Sequence, residues 1–454
     1  MPLDYFLPGA MFACLFLLLF SGFPVAFVLG GVGTLFAFLG IWLDLFPVAR
    51  LYLSAPRIWG TIGENLVLVA VPMFIFMGTL LERSGVAQNL MELFKILLRR
   101  VRGGLALAVV LMGTVLAAST GIVGASVVMT TLLALPVMMR NGYAIPISTG
   151  TIAASGTLGV IIPPSIMLVI MADMLTLQVG RLFLGAVIPG LMLAACYLVY
   201  LLVAFGLRPE LASHDPDQAR SRVGWGELLV LMVRGLVAPV VLIVLVLGSI
   251  FAGYATPTEA AGVGAAGALM LAILNGRMSW PVLWDSMKSA GTTIGMIFMI
   301  FAGATIFAYV FRLLGGEHAI IDAIDWIGLG AFGLMILLLV VIFIMGFFFD
   351  WIEIALIIFP IFGPIIAMQD FGDHVSGQQV MIWFALLVAV NLQTSYLTPP
   401  FGFALFYLRG VAPPEVRIAD IYRGVLPFVV IQLGVMIAIF AFPALVLWLP
   451  EAMR

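Results

Sequence analysis

The stretch TLGVIIPPSI (Thr157–Ile166) sets two adjacent prolines, Pro163 and Pro164, inside an apolar segment, and SYLTPPFGFA (Ser395–Ala404) repeats the arrangement with Pro399 and Pro400, 236 positions later. A proline in a helix interior removes one backbone hydrogen bond and clashes with the preceding turn, at a cost of about 3 kcal/mol. Hydrocarbon raises the cost, because an unpaired backbone group finds no water there. A mid-membrane break therefore survives only where it is buried against protein or lines a cavity. A lone proline reads most simply as a kink. These pairs are flanked by Ser155, Gly156, Thr157 and Gly159 in one half and by Asn391, Gln393, Thr394, Ser395 and Thr398 in the other, and each reads as a true break in a spanning helix.

Composition supports a membrane setting. Hydrophobic residues make up 64% of the 454 positions and charged residues 9%, against roughly 45–50% and 25% in soluble domains. Apolar runs of 18 or more residues recur along the chain, each long enough to cross a hydrocarbon core of about 30 Å. The first begins within ten residues of Met1, without a basic n-region or an A-x-A site, and is expected to be a span and not a cleaved leader. Cys14 and Cys196 both lie in apolar runs and offer neither a disulfide framework nor a metal cluster. A net charge of −2 with no basic stripe gives no reason to invoke nucleic acid.

Spans are expected near 6–21, 24–44, 64–82, 144–172 and 181–206, and again near 229–252, 257–275, 288–313, 380–408 and 421–449. The runs at 104–139 and 330–368 are interrupted near their middles, at AASTGIVGAS (Ala117–Ser126) and GFFFDWIE (Gly346–Glu353), and read as re-entrant hairpins. FIFMG (Phe74–Gly78) answers MIFAG (Met299–Gly303), GVG at 31–33 answers GVG at 262–264, and with the Pro-Pro pairs the offsets run from 225 to 236. Five crossings per half would turn the second copy over. The expected architecture is thus an all-α polytopic membrane protein of two inverted repeats, 1–206 and 228–454, joined by a cytoplasmic linker at 207–227. Of the 20 Lys and Arg residues, 15 fall on one face of this layout and five on the other, which makes the first face cytoplasmic and both termini periplasmic.

The chemistry follows from the breaks. Freed carbonyls with Ser, Thr and amide oxygens beside them form a hard oxygen cage suited to Na⁺, and opposed helix N-termini suit a carboxylate. Asp350 and Glu353 are the acids expected at membrane depth, readable as functional groups or as a hairpin tip reached by water. No Arg or Lys sits in a break, so an anion would be held by backbone dipoles and hydroxyls. Lys95 and Lys288 are the only lysines and neither follows a glycine, which argues against a P-loop pump. No H-E-x-x-H occurs and no histidine falls in an expected span, so no enzyme is expected. A passive channel is the stronger rival, but hairpins entering from opposite faces favour alternating access. Proton coupling through Asp350 and Glu353 stays open beside sodium.

At VPMFIFMGTLLERSGVA (Val71–Ala87), AASTGIVGAS, GTIAASGTLGVIIPPSIML (Gly150–Leu168) and LTPPFGFALFYL (Leu397–Leu408) the chain resembles the large membrane subunit of the tripartite ATP-independent periplasmic (TRAP) transporters, over essentially its whole length. The resemblance implies an elevator-type fold in a bacterial or archaeal inner membrane that imports organic acids with co-transported sodium. It also implies a small four-span subunit and a periplasmic binding protein as partners. Carried over by motif, the sodium and substrate region comprises Ser119, Thr120, Gly121, Ser126, Gly156, Thr157, Thr394, Ser395 and Thr398. The substrate region adds Ser155, Gly159, Pro163, Pro164, Asp350, Gln393, Pro399 and Pro400. The second tip carries FFDWIE, with two acids, Asp350 and Glu353, where the family pattern has a single acid after the aromatic run, and Glu353 is not assigned to the site. The forms of the first hairpin and first break resemble a subgroup associated with 2-oxo acids and similar monocarboxylates.

Overall fold

A computed structural model describes residues 3–120, 123–212 and 224–453, and among them the chain is helical with no strand. The first half runs α1 (Leu3–Leu19), α2 (Val25–Trp42), α3 (Ser54–Ile62), α4 (Ala70–Arg83), α5 (Val86–Leu97), α6 (Gly104–Thr120), α7 (Val123–Arg140), α8 (Ile145–Thr157), α9 (Ile166–Met174) and α10 (Val179–Leu207). The second half begins with α11 (Trp225–Leu231), which passes through a π-helical turn at Met232–Val237 into α12 (Ala238–Phe251). It continues with α13 (Pro257–Leu274), α14 (Trp280–Leu313), α15 (Gly316–Ile327), α16 (Ala331–Met345), α17 (Trp351–Ala367), α18 (Gln379–Leu397), α19 (Phe403–Val411), α20 (Ile418–Ala441) and α21 (Ala444–Ala452). Most of the 207–227 linker lies outside the described residues.

Both Pro-Pro pairs interrupt helices where expected. The first break separates α8 from α9 and the second separates α18 from α19, and the bonds Pro163-Pro164 and Pro399-Pro400 are both cis. The interrupted runs form the helix pairs α6/α7 and α16/α17. At 15 and 17 residues, the arms of the second pair fall short of the roughly 20 residues a full crossing takes.

Three boundaries differ from the sequence reading, each for a local reason. The span expected at 64–82 starts at Ala70 and is preceded by α3. In α3, Ser54, Pro56 and Trp59 match Ser279, Pro281 and Trp284 of α14 at an offset of 225. The second half keeps this segment as one 34-residue helix, whereas the first half interrupts it at Gly63-Glu64-Asn65. There the Asn65 side-chain oxygen accepts from the Val67 and Leu68 amides at 3.0 and 3.4 Å, serving the start of the next helix. The run at 421–449 splits at Phe442-Pro443, since proline has no amide to continue a ladder. The residues after the third expected span form α5, bent 56° from α4 at Ser84-Gly85, with Gly85 in the left-handed region. It buries Leu90, Leu93 and Phe94 and exposes Glu92 and Lys95.

The most extensive helix interfaces are α2 on α14 and α13 on α4. Exchanging the halves turns one of these into the other, and the same exchange relates α7 on α19 to α17 on α9. Small residues permit the closest crossings. Gly30 faces Gly303 where α2 crosses α14, and Gly150 faces Gly424 where α8 crosses α20. A Cβ on Gly424 would overlap the Pro146 carbonyl, a backbone atom with no rotamer to give way. Overpacking of this kind costs about 1–3 kcal/mol. Gly424→Ala is therefore expected to lower the thermal unfolding midpoint in detergent by several degrees. Gly434→Ala, on the same helix with open space around it, should leave the midpoint unchanged.

Candidate substrate and ion site

In each half, the first hairpin arm presses a glycine onto a serine of the broken helix. Gly113 of α6 lies against Ser155 of α8, so close that a Cβ at 113 would come within 2.7 Å of the serine Cβ. Gly346, at the end of α16, lies against Ser395 of α18, and a Cβ there would overlap the serine hydroxyl. Gly156 sits in the same way against Val127 of α7, where a Cβ would come within 3.1 Å of the Val127 Cα.

The hydroxyls of Ser155, Thr157, Thr394, Ser395 and Thr398 donate their protons to carbonyls three or four residues earlier in the chain. Ser155 donates to the Ile152 carbonyl at 3.0 Å and Thr157 to Ala154 at 2.9 Å. In α18, Thr394 donates to Val390 at 2.7 Å and Ser395 to Leu392 at 2.8 Å, and Thr398 donates to the Thr394 carbonyl at 2.8 Å. A hydroxyl with its proton so placed turns lone pairs outward, the orientation a cation needs. Asn391, one turn before Ser395, donates to the Leu339 carbonyl of α16 at 2.7 Å, and its own buried side-chain oxygen has no hydrogen-bond partner among the described residues. Ser126 is buried on α7. Ser119 and Thr120 end α6, but their side chains, like the whole of Gly121, lie outside the described residues.

A cavity of about 70 Å³ lies where residues of both hairpin tips converge. Val123 and Gly124 of the first hairpin, Asp350, Trp351 and Ile352 of the second, and Tyr396, Phe403 and Tyr407 of the second broken helix form one wall. Ile75 of α4 and Thr293, Met296 and Ile297 of α14 form the other. Asp350 is the N-cap of α17. It accepts from the Trp351 amide at 2.8 Å and from the Tyr396 hydroxyl at 3.0 Å, while the Glu353 carboxylate accepts from the Asp350 amide at 3.2 Å. The two acids thus form a reciprocal capping box, and Asp350 alone of the two reaches the cavity.

Other expected residues lie elsewhere. Gln393 does not face the tips. It is two residues from Ser395, about 200° around the helix, and its fully buried side chain adjoins the Tyr197 hydroxyl, which accepts from the Gln432 amide at 2.7 Å. Gly159, Pro163 and Pro164 are buried within the first break and do not line the cavity; within that break Ser165 donates to the Val160 carbonyl at 2.6 Å. At the second break Pro399 is half-buried, and the Pro400 carbonyl accepts from the Tyr422 hydroxyl at 2.7 Å.

The aromatic wall was missed by sequence reasoning. Its signal was present in LTPPFGFALFYL, where Phe403 and Tyr407 stand four apart and so share a face of α19. Thr293 and Met296, set in a long apolar helix, carry no comparable signal.

Known proteins are similar to this chain in sequence and in fold. Residues 12–445 match the family model of the tripartite ATP-independent periplasmic transporter, DctM component. The C4-dicarboxylate TRAP transporter large permease protein of Pseudomonas aeruginosa is 31% identical over 395 residues, covering 86% of this chain and 87% of that one. The isethionate TRAP transporter permease protein DctMQ of Oleidesulfovibrio alaskensis is 27% identical over 386 residues, covering 84% of this chain and 58% of that one. Among solved structures, the YdaH transporter of Alcanivorax borkumensis superposes with a TM-score of 0.62 over 90% of both chains at 14% identity, a likeness of fold. With a family match from the first span to the last and helices that break at the motifs themselves, this chain belongs to the large membrane subunits of the TRAP transporters.

Proposed function

We propose that this chain is the permease subunit of a secondary active importer that carries an organic acid anion together with sodium. The observation that carries the reading is the paired seam, Gly113 on Ser155 and Gly346 on Ser395, in which each hairpin arm meets a serine of a broken helix whose proton is already donated within that helix. Sodium would lie in the seams and the substrate carboxylate in the cavity, between the hairpin tips and the aromatic wall. A C4-dicarboxylate relative supports an organic acid as cargo, and the motif forms favour a 2-oxo or other monocarboxylate.

The halves are read as inverted repeats, which agrees with the contacts that interchange between them. The cavity has one wall from hairpins and broken helices and the other from α4 and α14. Such a division suits a moving group that slides past a fixed frame. The partners of this reading are a small membrane subunit and a periplasmic binding protein. The DctMQ relative, of which this chain spans 58%, has the length to carry the small subunit fused. The charge bias places both termini in the periplasm of a cell with an inner membrane.

The reading is tested in proteoliposomes holding the assembled transporter and its binding protein. Uptake should rise on imposing an inward sodium gradient and collapse when potassium replaces sodium; equal uptake in both salts would overturn sodium coupling. Thr157→Leu and Ser395→Leu should abolish uptake while the protein still inserts in the membrane, and Gly346→Ala should do so through the lost approach to Ser395. Normal transport by all three variants would remove the seam as the ion site.

Proton coupling is the second reading, favoured by Asp350 lining the cavity with Tyr396 on its oxygen. Asparagine caps a helix about as well as aspartate, so Asp350→Asn separates the roles. If Asp350 serves as a cap, uptake and its pH profile should be retained. If it carries a proton, the pH dependence of uptake should vanish.

A further inference from the structure

One face of α14 lines two cavities in succession. Thr293, Met296 and Ile297 line the central one, and from Phe301 to Arg312 the same helix lines a cleft of about 390 Å³. Ile297 and Phe301, both buried, stand one helical turn apart, about 6 Å, and separate the two spaces. The cleft lies between α3 and α14 on one side and α9 and α17 on the other, with Arg57, Thr61, Asp173, Tyr309 and Arg312 among its walls.

The charged groups of this cleft differ in what they have left to offer. Arg312 is paired with Glu317 at 2.9 Å and donates to the Pro360 carbonyl at 2.8 Å. Both oxygens of Asp173 accept from the Asn65 amide at 2.8 Å. Arg57 has no ion pair among the described residues. Its guanidinium stacks over the Tyr309 ring at 4.4 Å from the centroid, and that ring is fixed by a 2.9 Å bond from its hydroxyl to the Arg50 carbonyl. Stacking holds the guanidinium plane while leaving its edge N–H groups free for a planar bidentate acceptor. The cleft volume falls in the range of small-molecule sites, about 300–1,000 Å³.

We propose that this cleft is a second anion site, where a carboxylate of a small organic acid docks on the edge of Arg57, one helical turn from the central cavity. Its role as a receiving station for cargo rests on the transporter reading above; the binding itself does not. Asp173 is the opposing charge on the far wall, so its neutralisation should strengthen the site where loss of Arg57 weakens it.

The test uses the purified full chain in detergent and needs no transport, so its outcome is independent of the importer reading. A Thr61→Cys thiol, in a background with Cys14 and Cys196 replaced by alanine, is modified by anionic sulfonate and cationic ammonium methanethiosulfonates, and the ratio of the two rates is measured. Arg57→Gln should lower the anionic-to-cationic ratio several-fold, Arg57→Lys should largely keep it, and Asp173→Asn should raise it. Millimolar succinate, as the carboxylate probe, should slow anionic modification when Arg57 is present and have no such effect with Arg57→Gln. A ratio indifferent to Arg57→Gln, or equal succinate protection with and without Arg57, would overturn the site.

Discussion

In hydrocarbon every peptide group needs a partner inside the protein, and the architecture of this chain is organised around the few places where helices leave some of those groups unmatched. The break at Pro163-Pro164 is buried and the one at Pro399-Pro400 lies at the protein surface, and each is served by a hydroxyl: Ser165 on the Val160 carbonyl in one half, Tyr422 on the Pro400 carbonyl in the other. The tip of the second hairpin is served by the Asp350–Glu353 box. Once these demands are met locally, the oxygens left over at the seams are side-chain lone pairs and the Asn391 carbonyl oxygen, and these are the groups available to an ion.

The seams also show why glycine is needed at particular positions of otherwise bulky helices. Gly113 and Gly346 let a hairpin arm reach the serine of a broken helix with no side chain between. Any larger residue would hold the two apart. The same contact fastens each hairpin to its broken helix, so the proposed ion site and the packing of hairpin on helix would share one surface.

Much of this was legible in the sequence. The Pro-Pro pairs fixed both breaks to within a few residues because proline acts locally, and apolar run length fixed most spans because bilayer thickness sets it. Asp350 was legible as an acid in the interruption of the second hairpin run, and Ser155 and Ser395 as small polar residues before a break. Gln393 was misplaced because a linear reading groups neighbours that a helix sends to opposite faces. The split at Gly63-Glu64-Asn65 was missed because it depends on the Asn65 side chain serving the next helix. Thr293 and Met296 became part of the cavity wall only through tertiary contact.

The two long segments that match at offset 225 have diverged in stiffness. One is an uninterrupted rod of 34 residues, about 50 Å long; the other is two shorter pieces with a joint whose Leu66 carbonyl is tied to Thr258 and whose Asn65 is tied to Asp173. Insertions or deletions would throw every later side chain of the rod out of phase with its neighbours, while the joint can absorb them. Changes in chain length are therefore expected to gather at the joint and to be shut out of the rod.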